Sequence, residues 1–271
     1  MKKNIQQQKS YKILLLGDSC DDIYSYGSIE RRCFEERPIS KGTPILKVEK
    51  TISKPGMAKN VYKNLVTLEQ EVNFFTNHEI IQKIRLINTS EKNTSVMRID
   101  YNDSVDSMAM SKLKNIHLEN FDCVVISDYN KGFVNEEIIN YIVKNFSGKI
   151  FVDSKKTNLS CYENCIIKIN EYENSLVRKF PQKYQLIVTL GKNGAKWNDK
   201  YFEPYDCDNI IDICGAGDTF FASFVVCYLK TSDFETSIKV ANQCASLVLQ
   251  HVGNHYICAN QIDEMIKYHK N

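Results

Sequence analysis

Asp212-Ile213-Cys214-Gly215-Ala216-Gly217-Asp218-Thr219 is followed at once by the apolar run from Phe220 to Leu229. Two glycines and small residues stand between two carboxylates, just before a segment that reads as a buried helix. Such a turn lets backbone N–H groups approach an anion at a helix N-terminus, where the helix dipole favours negative charge. Asp218, at the same helix start, is then placed to take a proton from an attacking hydroxyl. A second reading fits the same residues: a tight glycine turn with Asp218 as an ordinary helix N-cap. The stretch alone leaves both open.

Working outward, several short apolar runs end in a polar or glycine residue. Lys12 to Leu16 ends in Gly17-Asp18, Cys123 to Ile126 in Ser127-Asp128, and Lys149 to Val152 in Asp153. Cys165 to Ile169 ends in Asn170, and Leu186 to Leu190 in Gly191. Runs that are continuously apolar, rather than alternating, indicate strands covered on both faces. Helix-like stretches lie between and after them, including Met57 to Thr67, Asn135 to Asn145 and Thr236 to Val252. The alternation predicts an α/β fold with a doubly wound, mostly parallel sheet and helices on both faces. Polar residues at the carboxyl ends of such strands stand where these sheets bind ligands.

Two segments break the rhythm. Residues 23–50 and 84–101 contain short alternating stretches such as Pro44-Ile45-Leu46-Lys47-Val48-Glu49. Alternation predicts antiparallel strands with one wet face, so the two segments are expected to pair into a small β lid on a single 271-residue domain. A lid of this kind suits closure over a site, a homodimer contact, or both.

Composition excludes some classes of function. The 35 basic residues nearly cancel the 33 acidic ones, so nothing calls for nucleic acid or a membrane surface. The ten cysteines are scattered with no C-x-x-C pair, and several fall inside apolar runs as small hydrophobes. The polar start, Met1 to Ser10, lacks the apolar core of a secretion signal, and no run approaches membrane-spanning length. The expected compartment is the reducing cytoplasm.

Taken in order, the motifs resemble those of the ribokinase-like (PfkB) carbohydrate kinases. They are Gly17-Asp18 with Asp21 or Asp22, Pro55-Gly56-x-x-x-Asn60, Ser127-Asp128-Tyr129-x-Lys131-Gly132, Asn170-x-x-Glu173, Thr189-x-Gly191-x-x-Gly194 and the Asp212 to Asp218 signature. Within that family the likeness is greatest to the branch that phosphorylates D-glycero-β-D-manno-heptose 7-phosphate at C1. It is carried by Tyr26-Gly27, Ile39-Ser40-x-x-x-Pro44, Met97-Arg98-Ile99-Asp100 and the Ser127 to Gly132 stretch.

The resemblance implies roles. Asp218 becomes the general base, and Gly215, Ala216 and Gly217 the N–H donors to the transferring phosphoryl group. Glu173 serves Mg²⁺ and Asn170 the phosphates of ATP. Thr189, Gly191, Gly194 and Asn242 border the nucleotide, while Asp18, Gly56 and Asn60 bind the sugar. Arg98, Lys131 and Lys155, with Arg85, are the cations offered to a sugar phosphate. A monovalent cation near Asp212 and a homodimer through the lid are further implications. Bifunctional relatives carry a nucleotidyltransferase domain after the kinase, which the sequence to Asn271 is expected to lack.

The departures fall on the acceptor side. Met57 stands where the family has a second glycine, and Lys59 where a small residue is common. The Ser-Pro-Glu-Ala-Pro lid motif reads Ser40-Lys41-Gly42-Thr43-Pro44, after an apparent insertion around Arg32 to Arg37, and Asp153-Ser154-Lys155 lacks the usual proline. Three readings follow: a heptose 7-phosphate kinase, a kinase of another sugar, sugar phosphate or nucleoside, and a non-catalytic binding regulator that retains the fold.

Overall fold

A computed structural model describes residues 9–33, 42–205, 214–250 and 255–270. Along the chain the first strands are β1 (Lys12–Gly17), β2 (Ser19–Arg32), β3 (Pro44–Met57), β4 (Glu71–Phe75), β5 (Ile81–Asn88) and β6 (Thr94–Tyr101). They are followed by β7 (Cys123–Asp128), β8 (Lys149–Ser154), β9 (Ile166–Asn170), β10 (Gln185–Thr189), β11 (Ala195–Trp197) and β12 (Lys200–Phe202). The helices are α1 (Ala58–Thr67), α2 (Met110–Lys114), α3 (Glu136–Asn145), α4 (Glu171–Leu176), α5 (Ala216–Thr231), α6 (Phe234–Leu249) and α7 (Ala259–Lys270).

Eight strands form the main sheet in the order β12-β11-β10-β9-β8-β7-β1-β4. Its pairings are parallel from β4 through β10, and only the β10–β11 and β11–β12 pairings are antiparallel. The five apolar runs read from the sequence are β1 and β7 to β10. The cause of their continuous hydrophobicity is visible in β1. Ile13 and Leu15 enter one core with α1, α5 and α6, whereas Leu14 and Leu16 enter a second core with α3. Each residue of such a strand is buried whichever way it points.

The same alternation sorts the polar residues. Phe151 of β8 and Ile166 of β9 face the α5 core, so Asp153 and Lys168, two residues further along each strand, point the same way. They are register partners on neighbouring strands. Asp128 and Ser154, also register partners, follow Val124, Ile126 and Val152 toward the α3 side.

The described residues of segments 23–50 and 84–101 lie largely in a separate four-stranded sheet of order β3-β2-β5-β6. Its β2–β3 and β5–β6 pairs are antiparallel and the central β2–β5 pair is parallel. Ser40, Lys41 and most of the inserted segment lie outside the described residues. Met57, the departure at the family's second glycine, sits at the N-cap of α1 with φ 56° and ψ −138°. Glycine adopts that conformation freely and a methionine does not, a strain of about 1–3 kcal/mol. Burial of the Met57 side chain with Cys20 and Ile81 offsets it. No helix among the described residues is long and apolar enough to cross a membrane.

Candidate active site

The site lies at the carboxyl edge of the main sheet, where β7, β8, β9 and β10 end against the N-terminus of α5. Gly215 caps α5 with φ 85°, a left-handed conformation that suits glycine, and the helix begins at Ala216. The first N–H groups of this 16-residue helix have no partner within the helix, and Gly215 and Gly217 line the cleft. Gly217 comes close to Lys168: a Cβ at that position would lie 3.4 Å from the ammonium.

Asp218 is buried, and both its oxygens accept hydrogen bonds. Asn60 Nδ2 donates to Oδ2 at 2.8 Å and the Tyr129 hydroxyl to Oδ1 at 3.0 Å. Burial pushes the Asp218 carboxyl above the ordinary range and Asp153 adds to it; Asn60, Lys168 and Tyr129 act in the opposite direction. A carboxyl so raised holds a proton more firmly than a solvated one.

Asp153 meets the opposite outcome. Burial alone would raise it, but Lys155 and Lys168 outweigh burial and hold its carboxyl below the ordinary range. Lys168 Nζ lies 2.8 Å from Asp153 Oδ2, and Lys155 bridges Asp153 at 3.2 Å and Glu173 at 2.5 Å. Asp153, Lys155 and Lys168 line a cavity of about 150 Å³ together with Tyr129, Asn170, Thr189, Gly215, Gly217 and Asp218. Lys168 is a cation on a core-facing position of β9. The sequence signal for it was a single lysine inside an otherwise apolar strand.

Asn170 and Glu173 form a reciprocal capping box at α4. Asn170 Oδ1 accepts from the Glu173 N–H and Glu173 Oε2 from the Asn170 N–H, both at 2.8 Å. Asn170, Thr189 and Gly217 also border a second cavity of about 530 Å³, which continues past Gly191, Gly194 and Asn242. Its far wall is apolar, with Pro204, Tyr205, Phe220, Ala245 and Leu249. Asn242 spends its amide N–H groups on the carbonyls of Phe202 and Glu203, so it ties α6 to the end of β12 as well as lining the space.

The residues expected on the sugar do not all converge. Asp18 is fully buried, and its carboxylate accepts the backbone N–H groups of Lys131 at 3.1 Å and Phe133 at 3.0 Å. Its place is beneath the turn after β7, and the carboxylate presented beside Gly56 is that of Asp22. A Cβ on Gly56 would collide with Asp22 Oδ2, which is why this position excludes a side chain. Asp22 also pairs with Arg85 at 2.6 Å. Asn60 is turned to the base. Lys155 belongs to the cavity beside the Gly215–Gly217 turn. Lys131 pairs with Asp103, and Arg98 with Asp100 on the exposed edge strand of the lid. Lys59 points to Asp21 at 2.6 Å, beside a separate cavity at the lid hinge. Asp212, with any cation site near it, lies outside the described residues.

The chain is similar to carbohydrate kinases in sequence and fold. Residues 156–260 match the model for the pfkB family carbohydrate kinases. The chain is 27% identical to the bifunctional protein HldE of Campylobacter curvus, over 97% of its own length and 66% of the relative's. Against the bifunctional protein HldE of a Nitratiruptor species it is 25% identical, over 93% of the chain and 64% of the relative. The chain therefore spans just under two thirds of the length of these relatives. Among solved structures, the fold superposes on Arabidopsis thaliana ribokinase complexed with ribose and ATP with a TM-score of 0.70. That match has 15% identity and covers 96% of this chain and 99% of the other. Phosphofructokinase-2 of Escherichia coli, solved with substrates and products, gives a TM-score of 0.67 at 13% identity, covering 97% and 100%.

Proposed function

We propose that this chain, a ribokinase-like protein carrying a PfkB-family carbohydrate kinase segment, is an ATP-dependent sugar kinase. The observation that carries the reading is the meeting of the two cavities at the N-terminus of α5. A nucleotide-sized space with apolar walls and a small charged one share Asn170, Thr189 and Gly217, and Asp218 stands on the charged side. In this reading the 530 Å³ cavity receives the purine and ribose. The phosphates run past Asn170 and Thr189 to the anion turn. There the N–H groups at the start of α5, with Lys168 behind them, meet the charge on the transferring group. Asp218 takes the proton of the acceptor hydroxyl as that oxygen attacks.

Magnesium fits the residues present. Among the described residues no three acidic, histidine or cysteine side chains converge into an all-protein metal cage. Mg²⁺ commonly keeps several waters and is shared between one or two carboxylates and substrate phosphates, which suits Glu173 with Asn170. When bound, the ion neutralises charge on the phosphate oxygens. Lys155, on Glu173 and Asp153, holds the acidic side of the cleft together from the protein's side.

The acceptor we favour is D-glycero-β-D-manno-heptose 7-phosphate, phosphorylated at C1 in the cytoplasm for the supply of nucleotide-activated heptose to lipopolysaccharide. Similarity to the HldE proteins over nearly the whole chain supports it, together with the Met97-Arg98-Ile99-Asp100 and Ser127 to Gly132 stretches. A dimer through the lid is part of the same reading. Met97, Ile99 and Tyr101 alternate along one exposed face of β6, the face away from Arg98 and Asp100. Light scattering behind size exclusion tests the dimer, and a mass equal to one chain overturns it.

The acceptor is tested by ADP release over a panel of heptose 7-phosphate, ribose, fructose, fructose 6-phosphate and adenosine. The expected result is the largest kcat/KM with the heptose phosphate. A larger value with another member replaces the acceptor and keeps the kinase. Calorimetric binding of a sugar with no ADP release from any member points instead to a binding regulator.

A further inference from the structure

The hydroxyl that touches the base comes from Tyr129, in the turn between β7 and Phe133. A carboxylate held at one oxygen can still swing about its terminal torsion, whose preference is broad. Asp218 is held at both, by Asn60 from α1 at 2.8 Å and by Tyr129 from the opposite side at 3.0 Å. The rotation of the base is therefore set before any acceptor arrives.

The turn that carries Tyr129 is anchored from beneath by two buried acids. Asp18 accepts the N–H groups of Lys131 and Phe133. Asp128 accepts from the Asn130 N–H at 2.9 Å, Ser154 Oγ at 3.1 Å and the Tyr162 hydroxyl at 2.5 Å, and it is ion-paired with Lys156. Asn130 at φ 57° and Gly132 at φ 121° complete the backbone course. Buried polar networks so fully satisfied rigidify what they hold, and what these two hold in common is the position of Tyr129.

The ring has cationic neighbours from two elements. Lys155, on the floor of the cleft, lies 5.0 Å from its centroid, and Lys83, on lid strand β5, lies 5.3 Å from it. The same side chain thus touches the base, the floor and the lid.

We infer that Tyr129 is a positioning residue that aims Asp218 at the acceptor hydroxyl and links that aim to the seating of the lid through Lys83. The inference rests on the sugar-kinase reading, in which Asp218 is the proton acceptor. Burial, with the neighbouring carboxylates of Asp218 and Asp153, pushes the Tyr129 phenol well above its ordinary value, so the hydroxyl keeps its proton and donates throughout the working range. The groups facing Asp218 are Asn60 of α1, Tyr129 itself, Asp153 of β8, Lys168 of β9 and, on the lid side, Cys20 of β2. Losing the phenol donor leaves the base less well aimed and its carboxyl raised further.

Tyr129→Phe removes only the hydroxyl and keeps the ring between its lysines. Its kcat is expected to fall about tenfold, the loss of one hydrogen bond to a charged group. The KM for ATP should stay within about twofold, and the acid limb of the pH profile should move to higher pH. Lys83→Met leaves base and phenol intact, and is expected to raise the KM for the acceptor about threefold or more with kcat and the ATP KM little changed, a lost cation–π contact. Wild-type kcat and an unmoved acid limb in Tyr129→Phe overturn the inference, as does a fall in kcat that comes only with a lower melting temperature and an unmoved limb. An unchanged acceptor KM in Lys83→Met overturns the link to the lid. A wild-type enzyme that releases ADP with no acceptor defeats the kinase reading itself, before any variant is compared.

Discussion

The floor of the cleft and the lid are both built from acids paired with cations, under different physical conditions. In the floor, Asp153 and Lys168 are register partners with side chains 1% and 4% exposed. In the lid the pairs Asp22–Arg85, Asp21–Lys59 and Asp100–Arg98 keep between a fifth and a half of their side-chain surfaces in water. Charges taken out of water interact strongly and are costly to leave alone, whereas those within reach of solvent and salt are screened. The floor is therefore a preorganised electrostatic device. The lid is a surface whose charges can be exchanged at small cost. Met57 and Lys59 both stand against β2 of the lid sheet, away from the buried Asp153–Lys168 pair.

The largest expected effect tests the floor at its reacting group. Asp218→Asn should lower kcat by about 10²- to 10⁴-fold, the usual range for loss of a general base, with ATP binding retained by calorimetry. Near wild-type turnover would remove Asp218 from that role. The pH profile carries the same information with a definite sign. In the proposed reaction Asp218 acts deprotonated, and burial raises it, so activity should be lost as pH falls through a value above the 3.8 of an ordinary aspartate. An acid limb at or below that value contradicts the buried environment.

Next comes the buried pair. Lys168→Met leaves Asp153 with less compensation in a dry setting and should destabilise by about 3–5 kcal/mol in urea titrations. The double variant Asp153→Asn with Lys168→Met should recover most of that loss. Equal stability of the single and double variants would show that packing, not charge, explains the first result.

Smaller effects belong to the lid side. Gly56→Ala places a methyl against Asp22 Oδ2 and Cys20 Sγ. It should raise the acceptor KM about tenfold by displacing a hydrogen-bonding carboxylate, with the ATP KM unmoved. A parallel rise in both would mean that the hinge and the nucleotide site are not separable. Smallest of all, Lys59→Ala should change stability by less than about 1 kcal/mol, as exposed ion pairs do, and leave the KM for a phosphosugar within about twofold. A large rise would show Lys59 swinging from Asp21 into the acceptor pocket, and the contrast between floor and lid would have to be redrawn.

Much of this molecule was legible along the chain. The five central strands could be read because each is buried on both sides, whereas the one-wet-face pattern expected of the lid strands is not met in β6, which is exposed at every residue. The glycine turn and the start of α5 could be read from Gly215 to Asp218, since helix starts and glycine turns are local events. The edge strand β4 and the hairpin β11–β12 were harder, being short and only partly covered. Lys168 was readable in principle: within β9 it shares parity with Ile166, which faces the α5 core. The strain at Met57 was not, because a positive φ leaves no mark on a methionine until the chain is seen bending there.

What the sequence determined by itself is the five central strands with their main helices, the lid as a separate sheet, and Asp218 at a helix start behind a glycine turn. These rest on periodicity and turn chemistry between residues a few positions apart. Tertiary structure alone decided which acid faces the cleft and which is a strut. Asp18 and Asp22 are four residues apart, yet one is sealed by N–H groups 113 and 115 residues away while the other meets Gly56 in the lid. The partners of the base, Asn60 and Tyr129, are 158 and 89 residues from Asp218. Contacts over such separations arise only when the parallel sheet brings its strand ends to one edge, and there solvation and pairing assign each carboxylate its work.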